Sequence, residues 1–109
     1  MPARSVAQFE NFTAAGSGSS KDLSIEPGRL YSLQVKGHAA AATAWNVVLE
    51  GSNDGSNFFL LATHANTTPQ SDGDMVFSVD KVARFARARC VSVTLGAAGS
   101  LDVNWLAVP

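Results

Sequence analysis

Apolar and polar residues alternate in short runs along most of this chain, and turn-forming residues separate the runs. Tyr31, Leu33 and Val35 alternate with Ser32, Gln34 and Lys36; Trp45, Val47 and Leu49 alternate with Asn46, Val48 and Glu50. Leu101, Val103 and Trp105 alternate with Asp102 and Asn104, and Met75, Phe77 and Val79 with Val76 and Ser78. A two-residue period places each apolar set on one face of a pleated strand. Between Leu49 and Phe58 lies Gly51-Ser52-Asn53-Asp54-Gly55-Ser56-Asn57, whose Asp-Gly pair supplies the positive φ of a tight hairpin. The segment from Val82 to Leu95 is too long for one perfectly alternating strand, because Phe85, Arg87, Arg89, Val91 and Val93 share one parity. A bulge, or a handover between sheets, resolves this by turning the arginines outward.

The remaining elements are shorter. Ser5 to Phe12 reads as a strand anchored by Val6 and Phe9, and the glycine- and serine-rich run from Ala14 to Ser20 reads as a flexible linker. Another short strand is expected from Asp22 to Ile25, then a turn at Glu26-Pro27-Gly28. The alanine run 39–42 is too short for a stable helix and reads as a connection. Asn57 to Thr63 should be a strand with Phe59 and Leu61 on one face, and His64 to Gly73 a long polar loop. Gly96-Ala97-Ala98-Gly99 is the last turn. The expected fold is all-β: an antiparallel β-sandwich of seven or eight strands, of jelly-roll or Greek-key type, with a closed barrel as the less favoured alternative. Residues 1–20 form an expected N-terminal arm and linker, and residues 21–109 the sandwich domain.

Composition narrows the function. The 109 residues suit one domain, which buries about two-thirds of the surface its unfolded chain exposes. Charged residues make up only 16% of the chain, below the usual quarter. Such a surface fits a protein committed to neighbours, and equally a merely small-residue-rich soluble domain. A net charge of −1 argues against a nucleic-acid binder. The single cysteine, Cys90, excludes an intrachain disulfide framework and reads as a buried, inert thiol. No apolar run reaches membrane-spanning length, and the start of the chain lacks the plan of a secretion signal, so synthesis and use in a cytoplasm are expected.

Candidate chemistry is sparse. His38 and His64 have no nucleophile or carboxylate at a catalytic spacing, and the expectation is a protein without catalytic residues, cofactor or metal. Asp54 reads as a turn carboxylate that accepts backbone amides, since its loop lacks the spaced acids of a calcium site. Asp72 and Asp74 read as part of a solvated turn. Trp45, Trp105, Phe59 and Phe77 lie on apolar faces and read as core, which leaves Phe58 as the exposed aromatic. Arg84, Arg87 and Arg89 concentrate positive charge; they suit carboxylates of an adjacent subunit or an anionic glycan. The plainer reading is that they meet Asp or Glu on a neighbouring strand. With Phe58, and with Val6 and Phe9 of the arm, they make up the expected partner-binding set.

Two segments resemble small β-sandwich structural modules of tailed-phage virions. One is Val47 to Leu61, the hairpin described above, and it also resembles, more loosely, discoidin-like carbohydrate-binding domains. The other is Ala83-Arg84-Phe85-Ala86-Arg87-Ala88-Arg89-Cys90-Val91-Ser92-Val93-Thr94, followed by Gly99-Ser100-Leu101-Asp102-Val103. The resemblance implies a capsid decoration (cement) protein or a small neck or tail accessory protein. Such a protein is located in the virion and binds by surface complementarity to a major capsid protein, or to a tail or neck protein. By analogy it would be a homo-oligomer, a trimer where it decorates a local three-fold. The alternative is a carbohydrate-binding module with a discoidin-like sandwich. In the decoration reading the arm is the tether, so deleting residues 1–13 should weaken capsid binding more than folding.

Overall fold

The computed structural model of the protein describes residues 6–23, 28–38, 42–66, 72–95 and 99–108. These form nine strands and no helix: β1 (Val6–Phe12), β2 (Gly16–Ser17), β3 (Lys21–Asp22), β4 (Gly28–His38), β5 (Ala42–Ser52), β6 (Phe58–Asn66), β7 (Asp72–Ala83), β8 (Phe85–Leu95) and β9 (Ser100–Val108). Two antiparallel sheets result. The four-stranded sheet has the order β1-β9-β4-β7, and the five-stranded sheet the order β2-β8-β5-β6, with β3 pairing beside β2 on the same edge of β8. Counting β2 and β3 as one interrupted edge gives the upper of the two expected strand counts.

The alternating faces meet between the sheets. Tyr31, Leu33 and Val35 of β4 and Leu101, Val103, Trp105 and Ala107 of β9 pack in one cluster with Trp45, Val47 and Leu49 of β5. Both tryptophans are buried, as the alternation requires. Ala86, Ala88 and Cys90 of β8 complete this layer, and burial pushes the Cys90 thiol pKa up, as expected for an unreactive cysteine. Phe77 and the rest of β7 up to Val82 are described only by their backbone pairing. The sheets pinch where β5 passes β7. A Cβ added at Gly51 would lie 2.7 Å from the Cβ of Ala83, so only glycine fits there.

Bulges settle the parity conflict in β8. Asn46 pairs with Ser92 and Val47 with Cys90, which leaves Val91 as an extra residue. Ala86, Ala88 and Cys90 therefore face inward and Arg87 and Arg89 outward, while Val93 beyond the bulge packs against the core again. A second irregularity, where Leu49 pairs with Ala62 and Glu50 with Leu60, leaves Leu61 unpaired and buried beside Phe59.

Several expectations are corrected by the backbone. Gly16 to Gly18 is not a free linker: β2 pairs with Arg89 and Cys90, and the Gly18 N–H donates to the Ala88 carbonyl at 2.8 Å. The glycine serves close packing, because a Cβ at Gly18 would sit 2.6 Å from the Glu10 carboxylate, which accepts the Ser19 N–H at 2.6 Å. The strand expected at Asp22 to Ile25 lies one residue earlier, as β3, with Leu23 buried; Ser24 to Pro27 lie outside the described residues. The polar loop expected from His64 to Gly73 is shorter, since β6 runs on to Asn66 and β7 starts at Asp72. Asp72 and Asp74 thus occupy strand positions opposite Lys36 and Gln34, outside a turn. Ala42, expected in a connection, begins β5, while the other alanines of that run lie outside the described residues.

The hairpin turn has the expected chemistry. Gly55 has φ of +80°. The Ser52 hydroxyl oxygen accepts the Asp54 and Gly55 amides, and the Asp54 carboxylate accepts the Ser52 hydroxyl, the Ser56 and Asn57 amides and the Asn57 side-chain amide. A Cβ at Gly55 would meet only Phe85, at 3.5 Å, an ordinary contact. Gly55→Val should therefore destabilise through its backbone angle alone, by about 1–2 kcal/mol, read from urea unfolding. Unchanged stability would contradict a left-handed residue here.

The hydrogen bonds from Asn57, first its amide and then its side chain, followed by those of Ser56 and Ser52, hold the Asp54 carboxyl well below the usual carboxylate range. A depressed folded-state pKa stabilises fully above the unfolded value, and the contribution fades as pH falls through the folded one. The stability gap between the wild type and Asp54→Asn should thus be constant near neutrality and shrink below about pH 4. A gap that stays the same down to acid unfolding would show that the turn does not hold the charged carboxylate.

Candidate functional site

The outer face of the five-stranded sheet brings together most of the arginine and aromatic candidates. Glu50 on β5 lies opposite Arg87 on β8, with Arg89 one pleat further along. The Arg87 Nε–H donates to Glu50 Oε1 and the Arg89 Nε–H to Glu50 Oε2, each at 3.1 Å. The Glu50 side chain is only 10% exposed, that of Arg87 26% and that of Arg89 38%. The plainer sequence reading holds for these two arginines, since their carboxylate is on the neighbouring strand. Two guanidinium groups share one carboxylate, so the group carries a net positive charge in a partly desolvated place.

Phe58 is not the exposed aromatic expected from its parity. It is half-buried, and the Arg87 guanidinium lies over its ring, 3.7 Å from the centroid. The ring face under Arg87 is closed to a sugar. Arg84 stands apart from the pair: it is exposed, 5.3 Å from the centre of the Phe85 ring and 3.9 Å from Asp22. Leu60 on β6 and Val91 on β8 are exposed large apolar residues, and β5 with Glu50 lies between their strands. Leu60 carried no signal in the sequence beyond its parity against Phe59 and Leu61, which read as unremarkable alternation.

The two arm candidates lie elsewhere. Val6 pairs through its backbone with Ala107, and its side chain is outside the described residues. Phe9, expected as an apolar anchor of the strand, points out of the four-stranded sheet and is 53% exposed; Phe12 is the buried anchor of β1. The inward parity of β1 falls on Gln8, Glu10 and Phe12, and at this sheet edge the Gln8 and Glu10 side chains bond to each other. Phe9 borders a shallow groove of about 440 Å³, lined also by Ala7, Ser32, Gln34, Asn104 and Leu106. The structure thus places Phe9 on the face opposite Arg87, Arg89 and Phe58.

The histidines are not brought together. The Trp45 indole N–H donates to His64 Nδ1 at 3.1 Å, which gives His64 a structural partner in the core layer. His38 is described only by its backbone pairing with Ser100. Among the described residues no group of three or more His, Cys, Asp and Glu could hold a metal ion, and no helix is long and apolar enough to cross a membrane.

Similarity to known proteins lies in the fold. No protein family matches the chain, and no curated protein does. Among solved structures, the crystal structure of SPBc2 prophage-derived protein YomS aligns over 100% of this chain and 96% of that one, with a TM-score of 0.65 and 15% sequence identity. The two share a fold. The crystal structure of PirA aligns over 98% of this chain and 93% of its own at 11% identity, with a TM-score of 0.48 that carries no argument.

Proposed function

We propose that this chain is a non-enzymatic structural protein of a tailed-phage virion: a decoration (cement) protein that binds the outer surface of the assembled capsid and stabilises it. The observation that carries this reading is the end-to-end likeness to a prophage-derived protein of nearly the same length. The hairpin and the β8–β9 ending, which resemble phage structural modules, support it independently of that likeness. So does a surface poor in charge, suited to burial against neighbours. The strand orders β1-β9-β4-β7 and β2/β3-β8-β5-β6 favour a jelly roll as the topology of the sandwich. The proposed partner is the major capsid protein, with the protein attached as a homo-oligomer.

The carbohydrate-binding alternative needs exposed aromatics, and few are found: both tryptophans are buried and Phe58 lies under Arg87, which leaves Phe9 as the one exposed aromatic among the described residues. The test is particle stability. Particles assembled without this protein should release their DNA at lower temperature and under milder osmotic shock than complete ones, and adding the purified protein should restore them. Equal stability with and without it would reject the reinforcing role.

A further inference from the structure

We propose that the outer face of the five-stranded sheet, centred on Arg87, Glu50 and Arg89, is a docking surface for an acidic protein segment, one of whose carboxylates completes the Arg–Glu–Arg group. The inference rests on the proposed virion role, in which the acidic segment belongs to the surface the protein attaches to.

The geometry points there in three ways. First, the charges do not balance: two guanidinium groups face one carboxylate, which is itself largely buried, while Arg87 is partly withdrawn from water and Arg89 more open to it. A partly desolvated surplus cation is stabilised by a second anion brought to it. Second, the bonding leaves the arginines suited to receive that anion. Each meets Glu50 through Nε–H, and neither has a hydrogen bond from its terminal amino groups to the described residues. That end of a guanidinium is a planar fork matching the two oxygens of a carboxylate. Glu50 on one side and the Phe58 ring beneath Arg87 hold the forks in place, so little side-chain freedom remains to be lost on binding.

Third, the surroundings suit a protein rather than a small anion or a glycan. The site lies on an open sheet face, with Leu60 exposed on the neighbouring β6, Val91 exposed on β8 itself and Arg84 just before β8 begins. Arginine beside aromatic and aliphatic side chains is the composition of protein-interface hot spots. A sugar would need the ring that Arg87 covers, and the chain's net charge of −1 does not suit a polyanionic nucleic acid.

The test titrates the full chain with a hexaglutamate peptide while following the arginine Nε–Hε resonances by NMR. Hexalysine, inorganic sulfate and sialyllactose are titrated in parallel. Hexaglutamate should shift the Arg87 and Arg89 signals in a saturable way, and about 0.5 M salt should weaken binding strongly. Arg89→Gln should bind about ten-fold more weakly or worse, and Arg89→Lys, which keeps the charge against Glu50 but loses the fork, should fall between the two. Melting curves of both variants establish that they are folded. Absence of shifts with hexaglutamate, equal shifts with sulfate or sialyllactose, or equal binding by Arg89→Gln would each overturn the proposal. Binding to virus particles separates it from the function it rests on. If the wild type and both variants bind particles equally, the surface is wrong and the virion role stands. If the wild type ignores particles but the peptide results hold, the role is wrong and the acidic-segment surface stands.

Discussion

Trp105→Ala should lower the unfolding free energy by about 3–5 kcal/mol, the range for truncating a fully buried large aromatic. Trp105 is 1% exposed, pairs in register with Leu33 on one side and Gln8 on the other, and belongs to the cluster that joins the two sheets. Its removal leaves a cavity that strands fixed on both sides cannot collapse into. Trp105→Phe should cost much less. The indole N–H of Trp105 is buried with no hydrogen-bond partner among the described residues, so phenylalanine gives up volume but also removes an unsatisfied donor. At Trp45 the same change forfeits the bond to His64 and should cost relatively more. Urea unfolding of the three variants is the check, and normal stability of Trp105→Ala would refute the placement of the core.

Deleting residues 1–13 should unfold or nearly unfold the protein. This reverses the expectation that the arm serves binding more than folding. All of β1, Val6 to Phe12, pairs with Ala107 to Leu101 of β9, and Phe12 is buried in the core cluster. The deletion strips β9 of one neighbour, opens the core beneath Phe12 and removes Glu10, which ties the four-stranded sheet to the β2 edge through Ser19. A loss on the order of 5 kcal/mol is expected, comparable with the whole stability of a small domain. Circular dichroism melting reads it directly. A truncated protein that melts within a few degrees of the full chain would restore the tether reading.

The core was legible because its signal is local. Tyr31, Leu33, Val35, Trp45, Val47, Leu49, Leu101, Val103 and Trp105 alternate in sequence, and pleating puts them on one side whatever the topology. The Asp54-Gly55 turn was legible for the same reason, since its hydrogen bonds run within six residues, Ser52 to Asn57. The arginine parity was legible only as a conflict. The sequence requires a bulge or a handover between sheets, and that it is a bulge at Val91 depends on the pairing with Asn46 and Val47. The Gly16–Gly18 edge was misleading because glycine and serine have two opposite uses. Composition reports flexibility, whereas here the missing side chain lets Glu10 approach. Phe9 and Phe12 could not be ranked from sequence either, because a strand at a sheet edge tolerates polar residues such as Gln8 and Glu10 on its inner face. The pairing of Glu50 with both arginines joins residues 37 and 39 positions apart, and only the register of β5 on β8 brings them together.

Cryo-electron microscopy of particles that lack this protein, imaged before and after it is added back, tests the central claim most directly. The account predicts added density at regular sites on the outer capsid surface, into which the two-sheet sandwich fits. Density confined to the neck or tail, or a particle unchanged while the protein stays in solution, would contradict it.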